Sequence, residues 1–116
     1  MSSKVYFTDM RAGHKKSLLD KVEMLFEQAG FANVIKEGDL VAIKLHFGER
    51  GNTGYIRPQF LRRIVNKIKA LGGKPFLTDA NTLYLGGRAN AVDHLQTAVE
   101  NGFAYAVVDA PLVIAD

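Results

Sequence analysis

Leu40-Val41-Ala42-Ile43-Lys44-Leu45-His46-Phe47-Gly48-Glu49-Arg50-Gly51-Asn52-Thr53-Gly54-Tyr55-Ile56-Arg57-Pro58-Gln59-Phe60 changes character twice. Its first four residues are an unbroken apolar run, which suits a strand buried on both faces of a parallel sheet. The chain then becomes a polar loop threaded by Gly48, Gly51 and Gly54. At Pro58, where a missing amide costs nothing, an amphipathic helix begins. A loop this dense in functional side chains, at the carboxyl end of a buried strand, is where α/β proteins place ligand sites.

Working outward, Lys4-Val5-Tyr6-Phe7-Thr8-Asp9 reads as the first strand, with Thr8, Asp9 and Arg11 at its polar end. Leu18, Val22, Leu25, Phe26 and Ala29 recur at helical spacing over Ser17 to Ala29, and Gly30 suits the position after the helix. Lys36-Glu37-Gly38-Asp39 is a turn into the second strand, Leu40 to Leu45. After the loop, Phe60, Leu61, Ile64, Val65, Ile68 and Leu71 form the apolar stripe of the Pro58 helix, which Gly72-Gly73 ends. Pro75 to Asp79 is the third strand. Asn90, with Asp93 three residues on, caps a helix carrying Val92, Leu95, Ala98 and Val99. Phe103 to Val108 and Leu112 to Ala115 are apolar runs of which one or both are strands, with Pro111 between them.

The resulting order, β-α-β-α-β-α-β, predicts a single α/β domain over residues 1–116: a three-layer, open, mostly parallel sheet of Rossmann-like type. The sequence stops directly after a strand, with no closing helix. The expectation is therefore the N-terminal part of a longer polypeptide, whose uncovered face or edge would let the fragment self-associate.

With 47% apolar and 23% charged residues, the composition is that of an ordinary soluble protein. Fifteen basic against twelve acidic residues give a net charge of +3, which admits anionic ligands. Aromatics are not interleaved with the basic residues, so nucleic acid is not expected as a partner. There is no cysteine, which excludes a disulfide, a thiolate metal site or a cluster held by this chain. No stretch approaches a membrane span of roughly 20 apolar residues. Because no signal-peptide core precedes the first strand, the expected location is cytoplasmic.

Lys44 and His46 alternate with Ile43 and Leu45 at the strand's end and so share a face. A lysine there can neutralise a phosphate or carboxylate, and a histidine can ligate metal or move protons. The plainer readings are a hydrogen-bonded structural histidine for His46 and an ion pair with Asp9, Asp79 or Glu49 for Lys44. Gly48 to Gly54 has the glycine content of a phosphate-cradling loop but matches neither the P-loop nor the dinucleotide fingerprint. Asp79, Asn81 and Thr82 end the third strand and, with Asp9, Glu49 and His46, could offer oxygen and nitrogen ligands to a divalent cation. Loop residues of these types also commonly bond to their own backbone. Arg62, Arg63, Lys67 and Lys69 make one helix face basic, either as solvated exterior or as a docking surface.

Lys44-Leu45-His46-Phe47-Gly48-Glu49, Gly51-Asn52 and Tyr55-Ile56-Arg57-Pro58 resemble the N-terminal part of the uncharacterised Fe–S centre proteins, the DUF362 family. So do Lys4 to Arg11, Thr78-Asp79-Ala80-Asn81-Thr82-Leu83-Tyr84, Gly86, Arg88 and Asn90 to Leu95. The resemblance implies a longer protein with a ferredoxin-like cysteine-rich segment, hence a 4Fe-4S cluster bound outside these residues. It implies no reaction, because the family's activity is not established. Taken together, residues and resemblance lead to an α/β domain of a ferredoxin-linked protein with an anion or metal site at the strand ends. Lys44, His46, Glu49 and Asp79 are the candidate catalytic residues, with His46 and Asp79 as the metal ligands. Asn52, Arg57, Asn81, Thr82 and Arg88 would bind the ligand. The rival expectation is a non-enzymatic scaffold that docks a redox partner protein through the basic helix face.

Overall fold

The computed structural model describes residues 1–116. Three strands, β1 (Leu40–Lys44), β2 (Lys74–Ala80) and β3 (Leu112–Ala115), form an open parallel sheet in the order β1-β2-β3. Ile43 lies beside Leu77, and Leu77 beside Leu112. The helices are α1 (Leu18–Gln28), α2 (Pro58–Ala70), α3 (Ala91–Glu100) and the single turn α4 (Tyr105–Val108), with a short 3-10 turn at Phe31–Asn33. The α/β class and the open parallel sheet are as the sequence implied.

Each long helix starts where its chemistry allows. Ser17 Oγ accepts from the Asp20 amide, and the Asp20 carboxylate accepts from the Ser17 amide, closing a capping box on α1. Pro58 occupies the first position of α2, and Asn90 Oδ1 accepts from the Asp93 amide at the start of α3. Beyond α2, Gly72 turns with φ +83°, and a Cβ there would meet Glu37 at 2.9 Å.

One core lies between the sheet and the helices. Leu61 and Val65 of α2, Ala98 of α3, Phe47, Phe103, Val108 and Ala110 surround Leu77 and Ile114 of the sheet. α1 packs on α2 rather than on the strands. The same face of the sheet therefore receives every helix that touches it. The other face, with Leu40, Ala42 and Val113, stays open to solvent and has no helical layer. Strand order supplies the reason: right-handed crossovers that step always in one direction lay their helices on one side. A second layer needs a reversal of strand order, and these three strands contain none.

Two local expectations are corrected, and one left open is decided. Lys4 to Asp9 is not a strand; Val5 and Phe7 are exposed, and Asp9 is held by Lys21 of α1 at 2.6 Å instead of by a ladder. β1 is not buried on both faces: Val41 and Ile43 are half-buried on one face and Leu40 is 76% exposed on the other, since β1 is an edge strand under a one-sided helical layer. Of the two last apolar runs only Leu112–Ala115 is a strand. Phe103 drops into the core, its amide bonded to Ala98, and α4 follows until Asp109 turns left-handed at φ 57°. No helix is long and apolar enough to cross a membrane.

Candidate functional site

The polar loop after β1 is fixed by its apolar residue. Phe47 is fully buried, edge-on to Phe103 at 5.2 Å and to the His94 ring at 5.8 Å. The next residue, Gly48, has φ +87°, and a Cβ there would lie 2.5 Å from the Tyr55 ring and 2.6 Å from Asn101 Nδ2. Asn101 Nδ2 in turn donates to the Phe47 carbonyl at 2.9 Å. The backbone is thus clamped on both sides of the position that sends Glu49 toward the end of β2.

There a charged network assembles. Asp79, 8% exposed at the carboxyl end of β2, accepts from Lys44 Nζ at 3.2 Å through Oδ1. Its Oδ2 lies 3.5 Å from Arg88 Nη1 and 3.7 Å from His94 Nε2. Arg88, 6% exposed, also donates to Glu49 Oε1 from Nε at 2.8 Å and from Nη2, while the Tyr84 hydroxyl donates to the same oxygen at 2.7 Å. Charge-assisted bonds of this kind offset the cost of burying the guanidinium. Hydrogen bonds from Arg88 and Tyr84 hold the Glu49 carboxyl below its ordinary range against desolvation. Burial works against the Arg88 charge, but Glu49 and Tyr84 outweigh it and leave its pKa raised.

The structure gathers Lys44, Glu49, Asp79, Asn81 and Arg88 into one neighbourhood. Asn81 Oδ1 faces His94 Nδ1 at 3.0 Å, and Asn81 Nδ2 donates to Asp116 at 2.6 Å. The other candidates are used locally. Exposed His46 turns Nδ1 to the Gly48 amide at 2.8 Å, and Asn52 Oδ1 accepts from the Gly54 amide. Thr82 bonds to the carbonyls of Tyr84 and Arg88, which folds the loop that carries Arg88. Arg57 is an exposed residue at the start of α2 that makes no capping bond. No group of three or more His, Asp or Glu side chains stands together in a metal-holding arrangement. A divalent cation at Asp79 would also face Lys44 and Arg88, both already on that carboxylate. With no cysteine, these residues supply no thiolate to an iron–sulfur cluster.

Sequence reasoning assigned no role to His94 or Tyr84. His94 is fully buried in the first turns of α3, and Thr97 beside it donates to the Gly87 carbonyl at 2.7 Å. Ala91 and Ala98 share the His94 face, but so does Thr97, and the more hydrophobic stripe of Val92, Leu95 and Val99 drew attention away from it. The basic face of α2 is spent internally: Arg63 pairs with Asp20 and Glu23, Lys67 with Glu27, and Lys69 with Asp109. Arg62 donates to the carbonyls of Ala106 and Val107 in α4.

Residues 41–116 match the family described as a domain of unknown function, DUF362. The chain belongs to the DUF362 family. The matched segment begins in β1 and takes in the whole polar network, from Lys44 to Asp116. No curated protein and no solved structure matches the chain.

Proposed function

We propose that this DUF362 domain is a cytoplasmic binding domain for a small anionic ligand, seated at the carboxyl ends of β1 and β2. One observation carries the reading. Lys44 is tied to the buried Asp79 carboxylate at 3.2 Å while its side chain remains 72% exposed, so a cation is held in place and still offered to solvent. A lysine fixed in this way contributes a point charge to a phosphate or carboxylate at little further cost in side-chain order. Arg88 sits behind it, locked by Glu49, Tyr84 and Asp79, and helps to hold the Asp79 carboxylate that positions Lys44. In this reading Glu49 and Asp79 are counter-ions that set the position of the two cations.

Thermal denaturation in the presence of sulfate, inorganic phosphate and simple carboxylates tests the proposal. A ligand at a hundred times its dissociation constant adds about 2.7 kcal/mol of stability. Stabilisation by at least one of these anions is expected, and Lys44→Ala is expected to abolish it. Equal stabilisation of both proteins would remove Lys44 from the site.

The rival reading, a docking domain within an iron–sulfur protein, draws on a different observation. The open sheet face presents Leu40 and Val113, and Val5, Phe7, Leu83 and Leu85 are exposed elsewhere. Exposed apolar area of this kind marks contact surfaces. The α2 basic face no longer serves this reading, since its cations already have partners in α1 and α4. The ferredoxin link stays with the family resemblance alone.

A further inference from the structure

His94 Nε2 is the single buried side-chain polar atom without a hydrogen-bond partner. Such an atom costs stability, and its retention calls for a physical reason. The ring's surroundings supply one. Asn81 spends its amide nitrogen on Asp116 Oδ1, so its carbonyl oxygen faces the ring, and His94 Nδ1 must carry the proton of that 3.0 Å bond. A neutral ring then turns a bare lone pair at Nε2 toward Asp79 Oδ2, which is also an acceptor and stands 3.7 Å away, beyond hydrogen-bond reach. An imidazole between two acceptors satisfies both only when doubly protonated.

The charged and titratable groups around it come from every neighbouring element. Asp79 lies on β2 and Lys44 at the end of β1; His46 and Glu49 follow on the next loop. Tyr84 and Arg88 lie on the loop into α3, Asp93 on α3 itself, and Asp116 behind Asn81. Burial lowers the ring's pKa below its ordinary value; Asp79 opposes this and Arg88 adds to it.

We infer that His94 is the buried proton acceptor of the strand-end site, and that an anion seated at Lys44 binds together with one proton taken up at His94 Nε2. This rests on the anion-binding reading given above. An anion seated at the exposed side of Lys44 takes up part of the ammonium's charge and leaves the buried Asp79 carboxylate less fully compensated. A proton from solvent then enters Nε2, and the new N–H draws Asp79 Oδ2 in from 3.7 Å to accept a hydrogen bond. No covalent bond is made or broken. His94 acts as a positioning residue, since it reaches the ligand only through Asp79 and Lys44. Coupling is reciprocal: a proton taken up on binding means that affinity rises as pH falls. The rise approaches tenfold per pH unit between the His94 pKa values of the free and bound protein, and is flat outside that window.

Sulfate is the probe, because it remains a dianion throughout the range in which histidine titrates. Calorimetric titration of the whole chain in buffers of different ionisation enthalpy counts protons directly. The expected result is uptake approaching one proton per sulfate and tighter binding at lower pH. His94→Gln, whose amide can donate to Asp79 permanently, is expected to bind sulfate with no pH dependence. A second measurement does not need that variant to fold. Nitrogen-15 NMR of the wild-type chain should show neutral His94 protonated at Nδ1, and Lys44→Ala should raise its pKa. Sulfate binding without proton uptake, or a neutral ring protonated at Nε2, overturns the inference and leaves the Lys44 site standing. Absence of any sulfate binding overturns both.

Discussion

Two sets of ion pairs in this molecule use the same residue types to different ends. Between α1 and α2, Asp20, Glu23 and Glu27 face Arg63 and Lys67 along a half-exposed seam. At the end of β2, Asp79 and Glu49 face Arg88 and Lys44 over a histidine that is fully buried. In the seam, each charge keeps part of its water, and a lost partner is replaced by solvent. In the strand-end network, Asp79 and Arg88 are each below a tenth exposed, so neither has water to fall back on. Position, rather than pairing, decides what a charge contributes here. The comparison yields its sharpest consequences when one member of each set is removed.

Arg88→Met should have the largest effect. It keeps the length and apolar stem of the side chain but strips two carboxylates of their shared donor. Breaking a buried pair from one side costs roughly 3–5 kcal/mol, and because Lys44 stays on Asp79 and Tyr84 on Glu49 the loss belongs at the low end of that range. The loss is to be read as a lower urea midpoint at constant slope. A loss near that of the half-exposed seam would mean that Asp79 finds water in solution, and the two networks would no longer differ in kind.

Gly48→Ala probes the clamp that delivers Glu49 to the buried set. The new methyl would stand 2.5 Å from the Tyr55 ring at a φ of +87°, so both the backbone and a packed aromatic must give way. A strained left-handed residue costs about 1–3 kcal/mol. The Glu49 carboxylate should at the same time lose part of its hold on Arg88, and its pKa should climb back toward the ordinary range. Stability without a change in Glu49 titration would show that the clamp and the network are independent.

The strand-end network was partly legible in the sequence, and the reason lies in what each residue's neighbours reveal. Lys44, Asp79 and Asn81 could be brought together on paper because parallel strands put their carboxyl ends on one edge, whatever the details of packing, whereas Arg88 was marked only by the family resemblance. The Lys44–Asp79 pair was among the plain alternatives for that lysine. His94 was not legible, because α3 carries two competing stripes. Val92, Leu95 and Val99 make the more hydrophobic one, yet Val92 and Val99 are exposed while His94, Thr97 and Ala98 turn inward. The inward stripe is the one that finds partners, Asn81 for His94 and the Gly87 carbonyl for Thr97. Hydropathy alone does not contain that information. The N-terminal run Lys4 to Asp9 failed for a related reason: strand propensity describes fitness for a ladder, and no ladder partner accompanies it.

The smallest effect is expected from the half-exposed seam, and it is the control that gives the comparison its meaning. Arg63 Nη1 donates to Asp20 at 3.3 Å and to Glu23 at 3.1 Å, and its hydrogen bond to Glu23 is the main reason that its pKa is raised. By contact alone it looks as well engaged as Arg88. Its side chain is nevertheless 35% exposed, against 7% for Arg88, so its carboxylate partners keep solvent when it is removed. Asp20 also retains its capping bonds to Ser17, which do not involve Arg63. Arg63→Ala should therefore leave the urea midpoint within the scatter of the wild type, and added salt should change the two proteins alike. A loss as large as that of Arg88→Met would show that the seam stitches α1 to the domain. α1 touches the rest of the fold chiefly through α2, so its attachment would then depend on charge rather than on Phe26 and the apolar stripe around it.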